Sequence, residues 1–331
     1  MELKLAVIGC LSLVYDLLLE GLKLLPVRTV AICGSKDEME KIGLHYNCGN
    51  KYTNYKALLE REKPDVVLLF PTEGDAEAMV KDCLLAGTYV FAERPVCQSL
   101  AAAEDLVKLQ EKTGCYVMAR YTRRCATAYQ MAREIITRPE FGKTEMFIAN
   151  YYTDPGGDTS TSEKVFVWNH ISHIIDAMLY LTGDMELLHA EKVIRDEHHI
   201  CYNMSFRTHN GAIGLIQSGS TLCYEYPMER VLVTGNKRCV IVENIRNLTY
   251  HRPAPVRKHG DKAVLDESSD ALVWKQNYGQ LSSFGYYGIE GCLEEITDAA
   301  LHRREPSFHA ADVLKVVKIL EELENKAVQY E

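Results

Sequence analysis

Within one short stretch the chain places Asn169, His170, His173 and Asp176, four groups able to move a proton or hold a cation. Histidine titrates near neutrality, so either ring can give and take a proton at physiological pH. On a continuous helix His170, His173 and Asp176 fall at i, i+3 and i+6, and Asn169 and His173 at i and i+4, so neighbours share a face. Such a face could ligate a divalent metal. No further ligand is placed by the sequence, so no metal is assigned, and a buried, hydrogen-bonded His170 is the plainer expectation.

A second group of residues has the chemistry of nucleotide binding. Gly9-Cys10-Leu11-Ser12-Leu13-Val14 follows the first apolar run, where a dinucleotide fold makes its phosphate turn. The G-x-G-x-x-G fingerprint asks for glycine at 11 and a small residue at 14, and Leu11 and Val14 stand there instead. Two readings stay open: a turn that still grips a nucleotide, and a scaffold that has stopped doing so. After the second apolar run, Cys33-Gly34-Ser35-Lys36 offers no acid before Asp37. An NAD site usually carries Asp or Glu here for the ribose 2′-hydroxyl, whereas small polar and basic groups suit a 2′-phosphate, so NADP is slightly favoured over NAD. A solvated loop is the plain alternative. His198, His199, Cys201 and His209 make a poor metal set, because adjacent strand residues point to opposite faces.

These groups need elements to hold them. Apolar runs at Lys4–Ile8, Thr29–Cys33, Val66–Phe70, Tyr89–Phe91 and Tyr116–Ala119 read as buried strands. Helical patterns lie between them at Tyr15–Leu24, Lys36–Gly43, Tyr55–Arg61, Asp75–Ala86 and Ser99–Thr113. Uninterrupted apolar strands separated by helices predict a parallel sheet covered on both faces, a Rossmann-type domain over residues 1–120. Ligands of such sheets sit at the carboxyl ends of the strands. From residue 121 to 331 the pattern changes. A helix at Ala128–Ile136 precedes alternating strands at Glu145–Tyr152, His199–Thr208, Ala212–Ser220, Arg230–Val233 and Val240–Glu243. Asn210-Gly211 and Gly235-Asn236 are hairpin-type turns. Helices are predicted at His170–Leu181, Tyr287–Leu301 and Ala310–Tyr330, and Arg252–Ser269 as a surface loop. The second domain is therefore predicted as α+β, with a mostly antiparallel open sheet and helices on one face.

At 331 residues the chain exceeds the size at which one core stops growing, in keeping with two domains. A net charge of −9 without a basic tract excludes the usual nucleic-acid binder. Its apolar runs are too short for a bilayer, Leu11–Leu25 being broken by Asp16, Glu20 and Lys23. The first residues run into a strand rather than a secretion signal. Eleven cysteines with no Cys-x-x-Cys fit reduced thiols, so a cytoplasmic location is expected.

Phe91-Ala92-Glu93-Arg94-Pro95-Val96 resembles the Glu-Lys-Pro segment of the glucose–fructose oxidoreductase/inositol dehydrogenase (Gfo/Idh/MocA) family. Thr122-Arg123-Arg124-Cys125-Ala126-Thr127-Ala128-Tyr129 is similar to its Asn-Arg-Arg-Phe-Ser-Pro-Ala-Tyr. Glu140–Lys143 resembles its Gly-x-Ile-Gly-x step into the sheet domain, and His173–Gly183 its His-x-x-Asp helix ending in Thr-Gly.

The resemblance implies an NAD(P)-dependent oxidoreductase acting on a secondary alcohol or ketone of a sugar, polyol or sugar-derived acid. It sets Arg94 at the family's lysine, Asn169 at its aspartate and His173 at its histidine. Arginine keeps its proton up to a pKa above about 12, so Arg94 can polarise or clamp an oxygen but cannot act as a base. His173 is left as proton donor or acceptor, with Arg94 and Asn169 orienting the reacting oxygen. Gly9, Cys10, Leu11, Ser35, Lys36, Pro71, Glu93 and Arg94 are the expected cofactor contacts. Arg123, Tyr151 and His170 are the expected substrate contacts, with Tyr152, Asp154, Tyr286 and Tyr287 as weaker candidates. The altered positions leave an alternative: a cofactor-depleted member working as a lyase or hydrolase, metal-assisted through His170 and His173, or as a ligand-binding partner subunit. An open sheet with an apolar face predicts a homodimer or homotetramer, with no nucleic-acid or membrane partner.

Overall fold

A computed structural model describes residues 2–9, 22–36, 39, 48, 50–71, 75–154, 162–196, 199–222, 227–253, 256–259, 262–265, 271–275 and 287–329. The chain divides into two units, Met1–Cys125 with Ser282–Glu321 and Ala126–Leu281 with Glu322–Glu331.

The first unit is built on a parallel sheet of β1 (Leu3–Gly9), β2 (Val27–Cys33), β3 (Lys51–Tyr52), β4 (Val66–Phe70), β5 (Tyr89–Ala92) and β6 (Val117–Ala119). Its order is β3-β2-β1-β4-β5-β6. The chain runs outward from β1 through β2 to β3, then returns to the other side of β1 as β4. That reversal makes a switch point between the carboxyl ends of β1 and β4. All five residues of β4 are fully buried, as a strand covered on both faces requires. Local chemistry starts the helices. Asn54 caps Tyr55–Glu62 through the Lys56 and Ala57 amides, and Ser99 caps Leu100–Thr113 through the Ala102 amide at 3.2 Å.

Residues from the end of the chain complete this unit. Helix Ile289–His302 packs on β4 and β5. Arg124 holds the start of helix Ala310–Lys326, pairing with Asp312 at 3.1 Å and stacking on Phe308. Gln110 accepts the Val117 and Ala310 amides through one oxygen and meets His309 Nδ1 with its nitrogen. A contiguous split after residue 120 is therefore not the division by contact, because helices late in the sequence cover the early sheet.

The second unit carries a nine-stranded mixed sheet ordered β16-β13-β12-β11-β7-β10-β9-β8-β17. The strands are β7 (Met146–Tyr152), β8 (Met185–Asp196), β9 (His199–Thr208), β10 (Ile213–Gly219), β11 (Met228–Gly235), β12 (Arg238–Glu243), β13 (Asn247–His251), β16 (Ala271–Lys275) and β17 (Val328–Gln329). Pairing is antiparallel except for β7 with β10 and β8 with β17. Burial alternates strictly along β7: Phe147, Ala149 and Tyr151 turn inward, while Ile148, Asn150 and Tyr152 are half-buried. Helices Thr127–Ile136 and Ser172–Thr182 lie against this sheet. Gly214 is glycine for a packing reason, since a Cβ there would enter the Phe147 ring.

Three differences from the sequence reading concern elements. Arg252–Ser269 is not simply a loop, because β14 (Val256–His259) and β15 (Lys262–Leu265) pair antiparallel inside it. Helix Ala310–Lys326 stops short of Tyr330 and gives way to β17. The helix predicted at His170–Leu181 begins with a π turn, Val167–Ile171, before Ser172–Thr182 continues as α-helix. The predicted helices Tyr15–Leu24 and Lys36–Gly43 lie largely outside the described residues.

Candidate active site

The carboxyl edge of the first sheet gathers most of the expected cofactor residues. Gly9 closes β1 with φ +83°, and a Cβ on it would strike the Phe70 carbonyl and come within 2.8 Å of Pro71 Cα. Only glycine lets the ends of β1 and β4 approach this closely, which is the role of the fingerprint's first glycine in a dinucleotide turn. The switch-point strand order and this bare backbone fit a dinucleotide. Beyond β2, Ser35 and Lys36 are exposed. Cys10, Leu11, Val14 and Asp37 lie outside the described residues.

The ends of β5 and β6 hold a compact ion cluster. Glu93 Oε1 accepts the Arg94 amide at 3.0 Å and Arg94 Nη1 at 2.9 Å. Its other oxygen accepts Arg120 Nε at 2.6 Å. Arg94 Nη1 also donates to the Arg120 carbonyl at 3.3 Å, and the Arg94–Pro95 peptide is cis. Side-chain exposures of 8% for Arg94, 17% for Arg120 and 19% for Glu93 place these charges in a partly desolvated setting. Burial pushes the Glu93 carboxyl up, but the charges of Arg120 and Arg94 outweigh it and hold the group below the usual carboxylate range. Arg94 is thus anchored by its own neighbour in sequence and by a strand partner.

In the second unit the π turn defines the proton-transfer candidate. The Ser172 amide donates to the Val167 carbonyl, a five-residue step that widens the helix just ahead of His173. The inserted residue changes the angular offset between Asn169 and His173 from that of a regular helix, so their i, i+4 adjacency does not follow from spacing. His170 stacks on Phe166, with ring centroids 5.7 Å apart and planes 20° apart. Asn169 and His170 are half-buried, whereas His173 is 4% exposed and Asp176 1%. The turn is held by its flanks. Trp168 Nε1 donates to Glu324 at 2.7 Å, and Glu163 receives Lys192 Nζ at 2.7 Å together with the Tyr202 hydroxyl. Burial, then the bond to Glu163, pushes the Tyr202 phenol up, so it stays protonated as the donor.

A sequence profile described as "Oxidoreductase family, NAD-binding Rossmann fold" (Gfo/Idh/MocA) matches residues 4–121. Over those residues the chain is similar to the Gfo/Idh/MocA family. It is 28% identical over 206 residues to the 4-carboxy-2-hydroxymuconate-6-semialdehyde dehydrogenase of a Sphingobium strain, covering 59% of this chain and 65% of that one. It is 22% identical over 226 residues to the myo-inositol 2-dehydrogenase of Thermotoga maritima, covering 65% and 66%. In both cases the match spans under two thirds of the relative. The crystal structure of a dehydrogenase from Chromobacterium violaceum superimposes with TM-score 0.84 at 20% identity, over 98% of this chain and 95% of that one. The whole chain therefore has the fold of that dehydrogenase.

Within this architecture, Gly9, Pro71, Glu93 and Arg94 share the carboxyl edge of one sheet, and Asn169, His170 and His173 share one helical segment. Arg123 is buried in the turn Thr122–Cys125 after β6, and Tyr151 is buried on the inner face of β7. Tyr152 and Asp154 follow and are half-buried; Tyr287 is described, while Tyr286 and His198 lie outside the described residues. Among the described residues no group of three or more His, Cys, Asp or Glu is arranged to hold a metal ion. None of the nine described cysteines is in a disulfide, and no described helix is long and apolar enough to cross a membrane. Two features escaped the sequence reading: Arg120 beside Glu93, and the buried bond from the Tyr129 hydroxyl to Glu229 at 2.5 Å. The signal for Arg120 was available, a charge directly after the apolar run Tyr116–Ala119 at the ligand end of a strand.

Proposed function

We propose that the chain is an NAD(P)-dependent oxidoreductase acting on a secondary alcohol or ketone of a sugar, polyol or sugar-derived acid. The observation that carries this reading is the switch point of a family-matched parallel sheet, with Gly9 and Pro71 at its lip and the Glu93–Arg94 pair two strands along. Bound nicotinamide supplies hydride exchange. Gly9, Cys10 and Leu11 would hold the diphosphate side, and Pro71, Glu93 and Arg94 the nicotinamide side. Ser35 and Lys36 at the end of β2 support NADP over NAD.

Proton transfer falls to His173, the one ring with a suitable intrinsic pKa at a catalytic position of the family pattern. Arg94 carries fixed positive charge for the reacting oxygen, Asn169 orients it, and Arg123, Tyr151 and His170 contact substrate. The names of the two sequence relatives, one acting on a semialdehyde and the other on inositol, agree with oxidation at a polar carbon. The half-buried outer face of the nine-stranded sheet, with Met146, Ile213 and Met228 exposed, supports a homodimer or homotetramer.

The test is absorbance at the reduced-nicotinamide band with NAD⁺ or NADP⁺ and a panel of aldoses, polyols and sugar acids. At least one substrate should give steady turnover that His173→Asn abolishes. Turnover unchanged in His173→Asn would overturn the proton-transfer assignment, and no turnover across the panel with either cofactor would overturn the redox reading.

A further inference from the structure

We propose that Arg120 is the substrate-binding residue that recognises a carboxylate, so that the substrate is an acid rather than a neutral sugar or polyol; this rests on the redox reading above. Two observations lead there. Arg120 directly follows β6, at the sheet edge where ligands of this fold bind. Among the described residues its guanidinium bonds Glu93 alone, through Nε, which fixes the plane while both terminal nitrogens keep their donors for another acceptor. At 17% side-chain exposure that fork stands partly desolvated, and a planar two-donor fork is matched to a carboxylate.

The source of the anion follows from the sheet. Arg120 lies three strands from β1, about 14 Å at the usual strand spacing, so it stands well away from the phosphate turn after Gly9. A cofactor phosphate would be met at β1 and β2, leaving the β5–β6 edge for the substrate.

The experiment compares the full chain with Arg120→Gln and Arg120→Lys, each saturated with NADPH. Matched acids and neutral analogues serve as probes: galacturonate against galactose, gluconate against glucitol, tartrate against threitol. Calorimetric titration should show at least one acid binding roughly ten- to a hundred-fold tighter than its neutral partner, the span of a charge-assisted hydrogen bond. Arg120→Gln should remove that preference, and Arg120→Lys should keep part of it because the cation and its pairing with Glu93 survive. NADPH and NADH affinities, read by fluorescence on matched samples, should move together in either variant, since any loosening of Glu93 acts on the nicotinamide half that the two share.

Equal binding of acid and neutral partners, or an acid preference intact in Arg120→Gln, overturns the assignment. A loss of NADPH affinity in Arg120→Gln that NADH does not share overturns it in favour of a cofactor phosphate. Absence of NADPH binding to the unaltered chain instead sinks the redox reading. The carboxylate preference is then measured without cofactor and judged by the same criteria.

Discussion

The two groups of candidate residues, one in each unit, are held by opposite means. At the edge of the first sheet, Glu93, Arg94 and Arg120 fix one another by charge, in bonds of 2.6–3.0 Å. In the second unit, His173 sits in a helix whose every described residue from Ser172 to Leu179 is buried, and its bearing is set by a π turn pinned at Trp168 and Glu163. A charged cluster fixes orientation and remains sensitive to acid. A packed helix fixes orientation and shields the imidazole from bulk water. The division suits the chemistry proposed: permanent charge where an oxygen is polarised, an apolar sheath where a proton must be moved on demand.

The largest expected effect falls on the proton-transfer side. His173→Asn should lower kcat by about 10²–10⁴-fold, the range for losing a general acid–base group, with circular dichroism unchanged. Next comes the charged side. Glu93→Ala removes the carboxylate that Arg94 and Arg120 share and should cost about 3 kcal/mol in urea denaturation, with Glu93→Gln costing less because the amide oxygen still accepts one bond.

The same carboxylate gives a pH test with a fixed sign. Its folded pKa lies below the ordinary 4.5, so the unfolded chain takes up the proton first on acidification. The Glu93 contribution is therefore fully present above that value and lost as pH falls through the folded pKa. Glu93→Gln should flatten the acid limb of a stability–pH curve and leave the neutral region's slope alone.

A smaller effect is expected at the π turn. Trp168→Phe removes the bond to Glu324 and should cost about 1 kcal/mol; if the turn positions Asn169 and His170, KM should rise more than stability loss explains. Lys326→Ala sets the floor, since its exposed helical pair with Glu322 is worth about 0.3 kcal/mol.

What could be read from the sequence was what local rules determine. Val66–Phe70 emerged as a buried strand because both its faces are covered, and Ser99 as a cap because capping is chemistry between near neighbours. The π turn was invisible, because Phe166, Val167, Trp168 and Ile171 keep a buried pattern that an inserted residue hardly disturbs. Strand β8 was missed because irregularities at Leu187/His189 and Ile194/Asp196 break its alternation. The Glu93–Arg120 pair spans 27 residues and becomes adjacent only when Ala92 registers beside Ala119 across β5 and β6. Candidate residues were thus legible one at a time, and their partnerships only through the sheet.

The decisive measurement is a fluorescence titration of the purified chain with reduced nicotinamide dinucleotides. A dinucleotide site at the β1–β4 switch point predicts a saturable blue shift, reached at lower concentration with NADPH than with NADH. No change with either up to millimolar concentrations would contradict the assignment at its root, leaving the fold without its redox function.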